Sequence, residues 1–269
     1  QGKGFLSYFT NAKFLKQKID EFKPDIIHAH YGLSGLTAVL QNKVPVVLTY
    51  HNGETATFLG NLFSSIAAIR SKHVIYVAKH ICELSYLKAK TYSIIPCGVS
   101  LEDCSIIPKE EARIMHKMSN NKIYILFGGA FDNLRKNYPL LKQAIELLNN
   151  DNIVVIEMKG LDRKTIIEYM CACDIFALPS KNEGSPQALK EAMACNCPII
   201  ATDIADIKYL LGDIEGHYIC EFDPKDLADK LKLAIAFGKR TEGRKRIIEL
   251  GLDNKQVAQK LIDIYKSCI

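Results

Sequence analysis

Between Asp174 and Thr202 the chain writes a strand, a helix and a second strand in direct succession. Asp174-Ile175-Phe176-Ala177-Leu178 is an apolar run of strand type, and Pro179 to Gly184 is a loop of small and polar residues. Ser185 reads as an N-cap and Pro186 as the first helical residue, where a missing N–H costs nothing. Ala188, Leu189, Ala192 and Met193 then form an apolar stripe at helical spacing. Pro198 cannot extend a helix, so Pro198-Ile199-Ile200-Ala201-Thr202 follows as a buried strand. A chain that alternates in this way folds as α/β layers with parallel sheets.

The same alternation runs through the rest of the sequence. In the first part, strands are expected at 25–29, 45–49, 73–77 and 92–95, and helices near 10–22, 32–41, 54–71 and 79–88. Pro96-Cys97-Gly98-Val99 reads as a turn, and 100–108, without periodicity, as a linker. A second unit opens with a strand at 122–127. Further strands are expected at 152–158, 174–178, 198–202 and 217–220. Its other helices fall at 137–149, 163–171, 206–211, 224–237 and 241–251, with a last one at 254–267. This divides the chain into residues 1–104, residues 105–253 and a C-terminal helix within 254–269.

Composition excludes several classes. The 269 residues suffice for two modest domains, and 48% apolar with 24% charged residues is ordinary for a globular protein. No run approaches the ~18 apolar residues of a spanning helix. A net charge of +5, evenly spread, gives no case for nucleic acid. Lys13 to Lys18 reads as a basic amphipathic helix, either a solvated face or a weak peripheral contact with a membrane surface. Nine cysteines without paired CxxC spacing read as reduced core thiols of a cytosolic protein, with no zinc site.

Three groups of residues carry chemistry. Glu183 lies in the loop before the helix at 186–195 and Glu191 about five residues into it, roughly 7.5 Å along its axis. Free N–H groups from Gly184 and Ser185 to Leu189, with the positive end of the helix dipole, make an anion site between the two acids. Alone, two glutamates eight apart are also an ordinary surface-helix feature. Gly128-Gly129-Ala130 follows a strand and precedes Arg135-Lys136. Small residues there let backbone approach a phosphate, and Lys136 would neutralise it, although a turn with two solvated cations is the simpler reading. The string is neither a P-loop nor a dinucleotide fingerprint. His51 stands just past the strand Val46–Tyr50, where open α/β sheets bind ligands. A loop histidine with a backbone partner fits it equally well. His28 reads as packed, and His30 as a residue lining an acceptor site.

The stretch from Pro179 to Asp203 resembles the signature of the family 4 glycosyltransferases, the retaining group 1 enzymes of the GT-B fold. It matches at Pro179, Ser180, Glu183, Gly184, Pro186, Glu191, Ala192, Met193, Ala194, Pro198, Ala201, Thr202 and Asp203. Asn196 stands where the family has Gly, and Tyr209 near a family Glu. Lys136 falls on a family lysine, but Gly129 or Ala130 replaces the arginine before it, leaving Arg135 as the neighbouring charge. His51 matches a family histidine close to the donor sugar. Ile94-Ile95-Pro96-Cys97-Gly98-Val99 resembles a turn that closes the first domain, with Cys97 for Asn.

The resemblance implies two Rossmann-like domains with parallel sheets facing a cleft, the last helix packing back toward the first domain. It also implies a first domain lacking its start, on the order of 70 residues by domain-size priors. The implied activity is hexosyl transfer from a nucleotide diphosphate sugar to a glycan or lipid-linked acceptor in cell-surface polysaccharide synthesis. No metal or other cofactor is implied, and the setting is the cytoplasm or the inner membrane face. His51 and Glu183 would serve the sugar and the reaction centre. Gly129, Arg135, Lys136, Gly184, Ser185, Leu189 and Glu191 would bind the donor. An inactive nucleotide-sugar-binding protein and a GT-B sugar-nucleotide epimerase are the alternatives.

Overall fold

The computed structural model describes residues 6–52 and 57–269, with side chains from Asn11 onward; residues 54–56 of the expected 54–71 helix lie outside the described residues. The chain divides into two compact units, residues 1–97 with 255–269, and residues 98–254.

The first unit runs α1 (Leu6–Phe22), β1 (Ile27–His30), α2 (Gly32–Val39), β2 (Val46–Tyr50), α3 (Phe58–Arg70), β3 (His73–Tyr76), α4 (Lys79–Leu84) and β4 (Tyr92–Ile94). Its strands form a parallel sheet in sequence order, β1-β2-β3-β4. β2 is buried at every position, as a central parallel strand covered on both faces must be. Leu48, Tyr50, Val74 and Tyr76 pack on one face with the apolar sides of α2 and α3.

The second unit runs α5 (Lys109–Met115), β5 (Ile123–Phe127), α6 (Tyr138–Leu148), β6 (Ile153–Glu157), α7 (Arg163–Ala172), β7 (Ile175–Leu178), α8 (Gln187–Ala194), β8 (Ile199–Thr202), α9 (Ile207–Leu211), β9 (His217–Cys220), α10 (Pro224–Phe237) and α11 (Gly243–Glu249). Its five strands are all parallel, in the order β6-β5-β7-β8-β9. The strand period of two splits their side chains cleanly. Leu126, Phe176, Leu178, Ile199 and Ala201 face α7, α8 and α11, whereas Ile125, Phe127, Ile175, Ala177 and Ile200 face α6 and α10. The last helix, α12 (Asn254–Cys268), returns to the first unit. Its Leu261, Ile264, Tyr265 and Cys268 cover Val47 and Ile75 on the sheet face opposite α2 and α3.

The structure departs from the sequence reading in three places, the first being that the boundary between the units falls after Cys97 rather than after residue 104. Helix α5 was not expected. Its seven residues show little periodicity, but Glu110 and Glu111 at the first turn and Arg113 at the last suit the helix dipole. Arg113 Nη2 also meets Asp174 Oδ2 at 2.7 Å, tying α5 to the start of β7. The signature helix begins at Gln187, one residue later than expected, and no side chain caps it. Ser185 Oγ donates instead to Asp206 Oδ2 at 2.7 Å.

One departure from the family signature is accounted for. Asn196 has φ 56°, in the left-handed region, which glycine adopts freely and asparagine tolerates best among the others. All nine cysteines are free thiols, and all but Cys97 are buried. No helix among the described residues is long and apolar enough to cross a membrane.

Candidate functional site

In the second unit, the loops leaving the C-terminal ends of β5 and β7 are neighbours because those strands pair in the sheet. Lys181 N donates to Arg135 O at 2.8 Å and joins the loops directly. Just beyond, Lys136 Nζ donates to Glu183 Oε1 at 2.6 Å, with the lysine and glutamate side chains only 15% and 8% exposed. Gly129 makes this possible. A Cβ added there would lie 2.5 Å from Lys136 Cγ, so only glycine lets the lysine stem cross so close to the chain. Arg135 is exposed and forms no ion pair among the described residues; its N–H donates to Asn133 Oδ1 at 3.1 Å.

Glu191 is also buried, on the second turn of α8. Burial pushes its carboxyl up from the usual glutamate range, and the neighbouring Arg163 and Lys190 pull it partly back. Arg163 Nη2 lies 3.1 Å from Glu191 Oε1 and 3.8 Å from Asp103 Oδ2. Gln187, four residues before Glu191 on α8, sends its Nε2 to Gly98 O at 2.8 Å. Gly184 is buried in the loop. Leu189 is fully buried in the core, so it reaches this site only through its main chain. The Ser185 hydroxyl is engaged with Asp206, so Ser185 too offers its main-chain N–H. This half of the molecule suits a ligand with an anionic group for Lys136 and the start of α8, and hydroxyls for Glu183 and Glu191.

The first unit gathers histidines at the C-terminal ends of β1 and β2. His30 Nδ1 and His51 Nε2 are 2.8 Å apart, their rings stacked with centroids 5.1 Å apart. His28 stacks on His30 at 4.4 Å and is anchored by Thr49 Oγ1 at 2.7 Å and Tyr265 OH at 2.5 Å. Tyr31, at φ 70°, sets its ring 4.9 Å from His51. A positive φ is strained for so bulky a residue, and such strain gathers at functional sites. Burial, then His30 and His51, lower the His28 pKa to about 4; burial, then His30, also lower that of His51. Cys97 Sγ lies 3.8 Å from His51 Nδ1.

The structure thus brings Lys136 and Glu183 together, gives Glu191 an unexpected partner in Arg163, and makes His30 a neighbour of His51. The chain from Lys190 through Ser185 to Asp206 was also missed. Its signal was a lysine one residue from Leu189 and three from Met193, on the apolar side of the helix.

The family described as "Glycosyl transferases group 1" matches residues 108–251, more than half of the chain. The family described as "Glycosyltransferase Family 4" matches residues 1–103. A Bacillus subtilis (strain 168) protein, assigned provisionally as teichuronic acid biosynthesis glycosyltransferase TuaC, is 26% identical over 228 residues, covering 74% of this chain. The chain spans 58% of that relative's length. Among solved structures, sucrose-phosphate synthase from Thermosynechococcus elongatus superposes with a TM-score of 0.83 at 20% identity, covering 98% of this chain and 78% of that one. Anabaena HepE in complex with UDP gives 0.80 at 16% identity, covering 95% and 82%. At such identities the likeness shows the fold, two Rossmann-like α/β units of GT-B type.

Proposed function

The chain belongs to the glycosyl transferases group 1 family, and on that premise we propose that it moves a hexosyl group from a nucleotide diphosphate sugar to a glycan or lipid-linked acceptor, with retention at the anomeric carbon. The observation that carries this reading is the buried Lys136–Glu183 pair beside the Gly184–Ser185 main chain. Lys136 and the N–H groups at the start of α8 take the diphosphate, and Arg135 adds charge from the exposed side. Glu183 takes sugar hydroxyls. Glu191 exchanges Arg163 for the ribose hydroxyls. As the glycosidic bond breaks, the same fixed N–H groups and Lys136 stabilise the charge growing on the leaving diphosphate. The family resemblance alone assigns His51 to the reaction centre.

The name of the Bacillus subtilis relative supports a role in cell-surface polysaccharide synthesis, and the HepE complex supports uridine nucleotides among the donors to try first. Free thiols and a nucleotide-sugar donor support a cytoplasmic setting, with the inner membrane face for a lipid-linked acceptor.

Isothermal titration with UDP-, GDP- and ADP-sugars, followed by product analysis, tests the reading. The expected result is saturable binding of one donor and release of nucleoside diphosphate with a new glycoside. Failure to bind any of them at millimolar concentration overturns it. Binding without turnover favours a nucleotide-sugar-binding protein, the reading that the loss of the family arginine at Gly129–Ala130 supports. An altered sugar nucleotide without nucleotide release identifies an epimerase.

A further inference from the structure

Lys190 is fully buried, although lysine is almost never so without a partner. Side chains on a helix lean toward its N-terminus, which carries the head of Lys190 back to the residues preceding α8. There its Nζ donates to Ser185 Oγ at 3.2 Å, and Ser185 Oγ donates in turn to Asp206 Oδ2 at 2.7 Å. The chain of bonds joins α8, the loop after β7 and the residue that opens α9. A second tie runs alongside, where Thr202 Oγ1 donates to Ser180 O at 2.6 Å. Ala205, next to Asp206, has φ 56°, a strained conformation for alanine.

An apolar side chain would fill the Lys190 position without the desolvation cost of a buried charge. What an apolar contact lacks is direction. A lysine–hydroxyl–carboxylate chain fixes the Ser185 hydroxyl from two sides, and with it the main chain from Gly184 to Pro186. We propose that Lys190 and Asp206 are positioning residues for a nucleoside diphosphate: through Ser185 they hold the loop N–H groups in the geometry that the second phosphate requires. The inference rests on the donor-site reading above.

The test is isothermal titration of the full chain with UDP, GDP and ADP, continued with the tightest of the three and its own monophosphate. The nucleoside is common to both, so their affinity ratio isolates the second phosphate. In Lys190→Met, Asp206→Asn and Ser185→Ala, diphosphate affinity is expected to fall tenfold or more while monophosphate affinity stays within twofold. Ser185→Thr, which keeps the hydroxyl, restores the ratio. Should Lys190→Met fail to fold, Ser185→Ala removes a single oxygen and carries the same test, with thermal melting as the control for folding. A lowered melting temperature with an unchanged ratio in every variant overturns the proposal and leaves the donor site standing. A wild-type chain that binds none of the three diphosphates removes both.

Discussion

The second unit holds Lys136 and Glu183 as an ion pair under cover and pairs the buried Glu191 with an exposed Arg163, whereas the first holds His28, His30 and His51 as stacked rings at its strand ends. Permanent charges taken out of water need a counter-charge before any ligand arrives. Imidazoles whose pKa is lowered need none at neutral pH, because they sit there uncharged. The second unit is therefore sensitive to loss of a partner, and the first to acid.

Breaking the Lys136–Glu183 pair is the largest test of that contrast. Lys136→Met strands a buried carboxylate, and urea denaturation is expected to show a loss of about 3 kcal/mol together with loss of donor binding. The double variant Lys136→Met/Glu183→Leu recovers most of the stability and none of the binding. Gly129→Ala acts on the same pair through shape. Its new methyl group meets the lysine stem, and overpacking of this kind costs about 1–3 kcal/mol; calorimetric melting and titration with donor would read both effects.

Glu191→Gln separates stability from binding. Because burial raises the folded-state pKa of Glu191 above its ordinary 4.5, the fold favours the protonated form. The stability this gives is full below pH 4.5 and is lost as pH rises through the raised value. At pH 7 the ionised carboxylate is thus a burden, and Glu191→Gln is expected to melt higher than wild type while binding donor roughly tenfold more weakly, as for one lost charged hydrogen bond. The gain should vanish as the pH approaches 4.5.

The acid limb is the smallest effect and falls mainly on the first unit, which holds three of the four histidines with lowered pKa. His28 has a folded-state pKa of about 4 against an ordinary 6.5, so between these values the unfolded chain binds more protons. Stability falls on acidification through that window, and His28→Gln should flatten the fall in urea titrations at pH 7, 5.5 and 4. His51 and His73 in the first unit and His217 in the second, all with pKa values lowered chiefly by burial, supply the slope that remains. If His28→Gln leaves the slope intact, the contrast between the units is wrong on this side.

Much of the fold was legible because its signals are local. β9 and α10 fall on the expected residues, since Asp223 caps α10, Pro224 opens it and Gly238 ends it at φ 61°. Helix α5 was not legible, because seven residues give too little periodicity. Individual candidate residues could be named, but their pairings could not. Lys136 and Glu183 are 47 positions apart and meet only because β5 and β7 are neighbours in the sheet. Arg163 opens a helix like any other first-turn residue, and nothing local says that it faces Glu191.

On the proposed donor-site reading, the Lys136–Glu183 bond makes the site behave as a lock that needs two keys. Inorganic phosphate can offer Lys136 an oxyanion, but it leaves Glu183 buried without a counter-charge. A free sugar can offer hydroxyls to Glu183 but nothing to replace it on Lys136. Only a molecule bearing both, joined at the right distance, settles both residues at once. A donor site built in this way would reject phosphate and free sugars by leaving one of its own charges stranded, and would need no steric barrier to keep them out.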